Sequence, residues 1–309
     1  MRKIVFAGTP EFSVPCLNAI LISGMDLVGV YTQPDRPSGR GRGVSLSPVK
    51  RRALAAGVSV FQPESLRDPG ARRQLESLRA DLMVVVAYGL ILTPQILAAP
   101  RLGCWNVHAS ILPRWRGAAP IQRALLAGDD ETGVDLMQME RGLDTGPVIL
   151  SRRTPINATD TGGSLHDRLS LLGAELLTEG LQRMHAGNLP TPRPQPSAGE
   201  SYACKIEKYE AVLDFNESCL VSERKVRAFS PWPVAETVVL GERVRVHSAD
   251  AHLLPVSAAP GSLVRADRSG IDLACRDGIL SVTRLQREGG KPISAEDYIN
   301  ARAELRHFK

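Results

Sequence analysis

The stretch KIVFAGTPEFSVPCLNAILISGMDLVGVYT, Lys3 to Thr32, decides the fold. Lys3–Gly8 is an apolar run of strand length closed by a glycine. That is the pattern of a strand buried on both faces of a parallel sheet. Apolar residues then recur at helical spacing from Glu11 and end at Gly24, which is placed to cap a helix. Leu27–Thr32 is a second strand-like run. Strand, helix and strand in one short stretch form a βαβ unit and predict a doubly wound α/β fold with a mostly parallel, Rossmann-like sheet.

Outward from this unit, DLMVVVAYG (Asp81–Gly89), GCWNVHA (Gly103–Ala109) and GVDLMQM (Gly133–Met139) read as further strands. PVILSRR (Pro147–Arg153) reads as an edge strand, and a helix is predicted over Gly163–Ala186. GNLPTPRPQPSAGE (Gly187–Glu200) holds four prolines and little that is apolar, the composition of a linker. Beyond Cys204 a short helix is predicted over Leu220–Phe229. Brief β-like runs follow (AETVVL, VRVHSA, GSLVRA, IDLAC, ILSVTRLQ), separated by turn signals, as in a small β-barrel or sandwich. The expected organisation is an α/β domain over 1–187, a linker over 188–204 and a second domain over 205–309.

The 309 residues are 43% apolar and 23% charged, enough for real cores, and the net charge is +5. That mild excess permits a polyanionic partner without requiring one. The apolar run at the N-terminus is too short for a signal peptide, and no run approaches the roughly 20 residues of a membrane span. Five scattered cysteines with no CxxC suggest reduced thiols and a cytoplasmic protein, and no metal-ligand spacing is present.

Three places carry chemistry. In the first turn, Gly8 alone falls far short of a dinucleotide-binding GxGxxG, so Thr9 or Ser13 is expected to cap the helix instead. The connection Gln33–Arg52 far exceeds the usual βα loop of about 2–6 residues. It sets six basic residues against the single acid Asp35, with three glycines among them, the composition of a segment that meets a phosphate backbone and orders on binding, or else of a plain solvated loop. The third place is NVHASILPRWRGAAPIQ, Asn106 to Gln122. Residues i and i+2 of a strand share a face, so Asn106 and His108 project together toward the crevice at the carboxyl ends of the sheet. GLDTG (Gly142–Gly146) presents Asp144 from another strand end. An amide and an imidazole can stabilise an oxyanion, and a carboxylate can orient the imidazole and move protons. No serine or cysteine has a nucleophile-elbow pattern, which points to direct attack on a bound substrate. The residues alone leave His108 open as catalyst or as satisfied core histidine, and Trp115 open as crevice wall or as packing.

The central segment from Asn106 to Val148 resembles the signature of the formyltransferase family. With FAGTPEF, TQPDRPSGRGR and VVVAYGLIL it is similar to the methionyl-tRNA branch of that family, and the likeness extends to RAFSPWPVAET and DYINARAE. The resemblance implies a Rossmann-like domain that binds 10-formyltetrahydrofolate and an OB-like C-terminal barrel that helps hold initiator methionyl-tRNA. It implies no metal and a monomer. The family's catalytic Asn, His and Asp fall on Asn106, His108 and Asp144. Folate contacts are implied at Val86, Ala87, Tyr88, Gly89, Leu90, Ile91 and Leu92, and at Ser110, Leu112, Pro113, Met139, Glu140 and Gly142. The basic loop is implied to enter the acceptor-stem region, with Arg36, Arg40, Arg42 and Lys50 as contacts and Arg40 foremost. GRGRGVSLSPVK carries arginine and glycine where relatives often have paired lysines, which changes the contact geometry.

Rival readings are a formyltransferase for a small amine, a hydrolase releasing formate from the folate, and a non-catalytic RNA-binding module. The first two need no long basic loop. Residues 205–309 hold 16 basic against 15 acidic side chains, which leaves the N-terminal loop as the main electrostatic contact and weakens the third.

Overall fold

The computed structural model describes residues 2–38, 43–302 and 304–305. In chain order its first part comprises strand β1 (Lys3–Gly8), helix α1 (Val14–Ile22), β2 (Asp26–Tyr31), β3 (Arg36–Ser38), β4 (Gly43–Ser45) and α2 (Pro48–Ala55). There follow β5 (Val60–Phe61), α3 (Pro69–Ser77), β6 (Leu82–Val86), α4 (Pro94–Leu97), β7 (Cys104–His108), β8 (Arg116–Gly117) and α5 (Pro120–Ala127). β9 (Glu131–Gln138), β10 (Val148–Pro155), α6 (Gly162–His185) and β11 (Tyr202–Ala203) complete it. The second part holds α7 (Cys219–Ala228), β12 (Ala235–Val239), β13 (Glu242–Leu253), β14 (Leu263–Asp267), β15 (Gly270–Cys275), β16 (Gly278–Arg287), β17 (Ile293–Ser294) and α8 (Ala295–Asn300).

Local chemistry accounts for several starts. Ser47, Asp68 and Thr93 each accept from the backbone N–H three residues on, with proline in the first turn that follows. The first turn behaves otherwise than expected. Neither Thr9 nor Ser13 caps α1: their hydroxyls donate to the Tyr88 and Val86 carbonyls at 3.0 and 2.7 Å and tie the turn to the end of β6.

Among the described residues the main sheet has the order β10-β9-β7-β6-β1-β2-β5. β7, β6, β1, β2 and β5 run parallel, whereas β9 is antiparallel to β7 and β10 to β9. β6 is buried throughout and β1 from Ile4 to Gly8, and Val5, Ala7, Met83 and Val85 pack with Ala71 and Leu75 of α3. Helix α6 lies against Val107 and Leu136, at Gly173 and Gly180. The opposite face of β7 and β9 therefore carries Asn106, His108, Asp135 and Met137.

Contacts divide the chain into two units. One holds residues 1–120, 131–155 and 166–203, and the other 121–130, 156–165 and 204–309. These boundaries differ from the linear ones read from the sequence. The proline-rich segment up to Ala203 belongs to the first unit, because its backbone finds partners there. Arg193 bonds Val148 in both directions at 2.8 Å, Tyr202 and Ala203 pair with Arg116 and Gly117, and Ser201 joins Pro113, Trp115 and Arg116. The expected linker is a strap. In the second unit an antiparallel sheet, β12-β13-β16-β15-β14 with β17 on β16, buries Val244, Val246, Ile271, Leu280 and Val282 with Val226 of α7 and Tyr298 of α8. The SPWP motif is a turn between α7 and β12.

Among the described residues no helix is long and apolar enough to cross a membrane, and no group of three or more His, Cys, Asp or Glu is placed to hold a metal.

Candidate active site

Asn106 and His108 project from β7 as the alternation requires. Asp144 reaches them by an unexpected route. The sequence places it at another strand end at the carboxyl side of the sheet, but β9 is antiparallel to β7, and Gln138 pairs with Trp105 at the start of β7. The Gly142–Gly146 loop therefore leaves at the amino end of β7 and turns back over the sheet face. Gly146 makes this return possible: it lies against the Gln138 carbonyl, where a methyl group would overlap it.

The three side chains meet. Asn106 Nδ2 lies 3.4 Å from Asp144 Oδ1, and His108 Nδ1 lies 3.7 Å from Asp144 Oδ2. The Gly117 N–H donates to the same Oδ2 at 2.8 Å. His108 Nε2 is 2.9 Å from the Trp115 carbonyl. A carbonyl only accepts, so Nε2 carries the proton. Nδ1 then faces Asp144 and the crevice, and the imidazole–carboxylate contact is attractive when Nδ1 is protonated as well. His108 is 6% exposed and Asp144 10%, so little solvent screens the pair. Asp144 and Trp115 both have positive φ, 53° and 60°, a conformation that costs about 1–3 kcal/mol and clusters at active sites. Trp115 serves the site through its backbone: its carbonyl fixes the His108 ring, its N–H is held by Ser201 Oγ at 2.9 Å, and Arg114 lies over its indole at 4.5 Å.

The strap closes the arrangement. Gln195 Nε2 donates to the Asp144 and Gly146 carbonyls at 2.7 and 2.8 Å, while Gln195 Oε1 accepts from Arg116 Nε and Nη2 at 3.0 and 2.8 Å. Arg116 Nη1 pairs with Glu200 at 2.9 Å. One amide thus joins the loop carrying Asp144 to the loop carrying the partners of His108 and Asp144. Sequence reading passed over Gln195 and Glu200, since a glutamine among prolines carries no local signal; Arg116, expected with Arg114 to shape the crevice wall or meet the substrate, is held by both of them.

The folate candidates divide. Ala87, Gly89, Ile91, Glu140 and Gly142 are exposed, and Leu90, Leu92 and Met139 are half-buried. Val86, Tyr88, Ser110, Leu112 and Pro113 are buried, and the Ser110 hydroxyl donates to the Arg114 carbonyl at 2.6 Å, not to His108. Ile91 and Leu143 expose large apolar side chains. In the basic segment the structure forms an antiparallel β3–β4 pair where a plain loop was expected, and Arg36 on it is exposed. Arg40 and Arg42 lie outside the described residues. Lys50 is half-buried: its ammonium pairs with Asp35 and bonds Gln62 Oε1 at 2.6 Å, and Lys50 holds the Asp35 carboxyl below its ordinary range. That tie pins the base of the basic segment.

An amide, an imidazole and a carboxylate meet in one crevice of a Rossmann-like sheet, with the nearby serine hydroxyl engaged elsewhere, a set suited to stabilising an oxyanion and moving protons at a carbonyl carbon. Residues 1–181 match the model of the formyl transferase family, and residues 205–303 match that of the formyl transferase C-terminal domain. The chain is 59% identical over 303 residues to the methionyl-tRNA formyltransferase of Xanthomonas axonopodis pv. citri (strain 306), covering 98% of each. It is 59% identical over 304 residues to that of Stenotrophomonas maltophilia (strain K279a), covering 98% of this chain and 99% of the relative. Among solved structures its fold is similar to an N-formyltransferase from Helicobacter canadensis in complex with folinic acid and dTDP-3-aminofucose. That likeness has a TM-score of 0.69 at 18% identity and covers 91% of this chain and 99% of the other. The chain belongs to the formyl transferase family, in its methionyl-tRNA formyltransferase branch.

Proposed function

We propose that the protein transfers the formyl group of 10-formyltetrahydrofolate to the α-amine of methionyl initiator tRNA, giving N-formylmethionyl-tRNA for translation initiation. The observation that carries this reading is the meeting of Asn106, His108 and Asp144 in a chain that shares 59% of its residues with methionyl-tRNA formyltransferases.

The folate supplies an activated formyl carbon on N10. The amine attacks that carbon, a new C–N bond forms, and the bond to N10 breaks. Asn106 Nδ2 and His108 Nδ1 donate to the formyl oxygen as its charge grows. Asp144 keeps the imidazole oriented and, through water, takes the proton that the amine sheds; N10 leaves with a proton. The exposed apolar Ile91 and Leu143 fit a flat aromatic ligand beside the crevice.

Arg36, Arg40 and Arg42 are proposed as phosphate contacts for the acceptor stem, and the antiparallel second unit as an OB-like barrel that supports the tRNA. The segment's basic excess and the family match over 205–303 support this. The protein is taken to act in the cytoplasm as a monomer.

The test is His108→Ala. Removing one oxyanion donor costs about 10²–10³ in rate. Formyl transfer is expected to fall at least that far, with an unchanged circular dichroism spectrum. A near-normal rate would overturn the assignment.

A further inference from the structure

A second carboxyl stands beside His108. Asp135, on β9, is the direct cross-strand partner of His108, and α6 covers the other face of both strands. Directly opposed residues of an antiparallel pair share a face, with Cβ atoms about 4.5–5.5 Å apart. Asp135 is 1% exposed. Its Oδ2 accepts the Leu112 N–H at 2.7 Å, and its Oδ1 has no hydrogen-bond partner among the described residues. The Ser151 hydroxyl, on its cross-strand partner in β10, stands near this carboxyl but makes no hydrogen bond of normal geometry to Oδ1, and a buried carboxyl so poorly matched destabilises a fold. Such a group invites a functional explanation.

The Leu112 N–H offers one. Leu112 belongs to the turn that runs from His108 to Trp115, and the Trp115 carbonyl holds His108 Nε2. Asp135 thus anchors the turn that orients the ring and places a negative charge next to the ring itself. We propose that Asp135 is a positioning residue for the transfer: it holds the 109–115 turn by the Leu112 N–H and, as a carboxylate, sets a negative charge beside the His108 ring. This rests on the function proposed above.

The groups facing Asp135 are His108 on β7, the Leu112 N–H on the turn, and Ser151 and Arg153 on β10; Arg153 is itself paired with Glu131. Burial pushes the Asp135 carboxyl up to about 6, against the pull of Ser151, Leu112, His108 and Arg153. The carboxylate forms mostly above that pH.

Asp135→Asn separates the roles, because an amide oxygen can still accept from Leu112 while the charge is gone. Thermal unfolding and the pH profile of kcat would be measured for the whole chain, with Asp135→Leu as the variant that loses both. Asp135→Asn is expected to unfold at a higher temperature than the wild type at pH 7.5. Its kcat should fall about tenfold with KM for both substrates unchanged, and the step in kcat near pH 6 should vanish. Asp135→Leu should be slower still. Wild-type kcat and pH profile in Asp135→Asn would overturn the proposal, as would a lower unfolding temperature at pH 7.5, which marks a purely structural carboxyl. A wild-type chain that transfers no formyl overturns the proposed function and this inference with it; one that transfers and is matched by Asp135→Asn overturns the inference alone.

Discussion

Replacing Gln195 by alanine should damage catalysis from within a segment whose composition is that of a linker. The substitution removes two donors, to the Asp144 and Gly146 carbonyls, and the acceptor shared by two Arg116 nitrogens. Neutral hydrogen bonds contribute about 1 kcal/mol each and those to a charged group about 1.5–3. Arg116 keeps Glu200. Counting the shared Arg116 acceptor once, the expected loss in stability is therefore about 3–5 kcal/mol, read by urea unfolding followed at Trp fluorescence. The Asp144 carboxylate keeps the Gly117 N–H, but its loop loses the clamp on two carbonyls. Misplacement of a reacting group by about 1 Å can cost about 10²-fold. A fall in kcat of about 10–100-fold is expected in a formyl-transfer assay, with KM within about threefold. Gln195→Glu sharpens the test: it retains an acceptor for Arg116 but sets a carboxylate against the two carbonyls. It should keep more stability than Gln195→Ala yet be no faster. Full activity in Gln195→Ala would refute the inclusion of the strap in the site.

Two further outcomes follow from the geometry. Gly117 has φ +118°, and a Cβ there would sit 2.8 Å from the Ala203 carbonyl. Gly117→Ala should therefore part the β8–β11 pair, destabilise by at least about 1–3 kcal/mol and lower kcat, since the Gly117 N–H holds Asp144; wild-type melting and rate would contradict this. Asp135 should leave a mark on stability against pH. Its carboxyl is raised from an ordinary 3.8 to about 6, so the fold binds more protons than the unfolded chain between those values, and stability falls as pH rises from about 4 to about 6, then levels. At about 1.4 kcal/mol per unit the drop is at most about 3 kcal/mol, and Asp135→Asn should abolish it in a series of melts across that range. A slope that survives the substitution would place its origin elsewhere.

The βαβ opening, the core strands and α6 were legible because apolar period and length there leave little choice. Asn106 and His108 were legible as a pair for the same reason: alternation on a strand fixes their common face. The direction of β9 was not, since a buried run of apolar residues is equally consistent with either neighbour relation. Hence Asp144 was placed in the right company by the wrong path. The bonds of the proline-rich segment were not legible because proline density reports the absence of a helix, not the absence of partners, and Arg193, Ser201 and Ala203 bond through backbone groups that composition does not reveal. Asp135 gave no signal, because an acid within a strand reads as its solvent face. Lys50 looked like its basic neighbours until the fold set Asp35 and Gln62 against it.

The measurement that bears most directly on the central claim is formyl transfer from 10-formyltetrahydrofolate by the wild-type chain. Charged initiator methionyl-tRNA would be compared with elongator methionyl-tRNA and a control without tRNA. Rapid formylation of the initiator, with little in the other two, is the predicted result. Formate release without tRNA, and no formyl on either methionyl-tRNA, would contradict it.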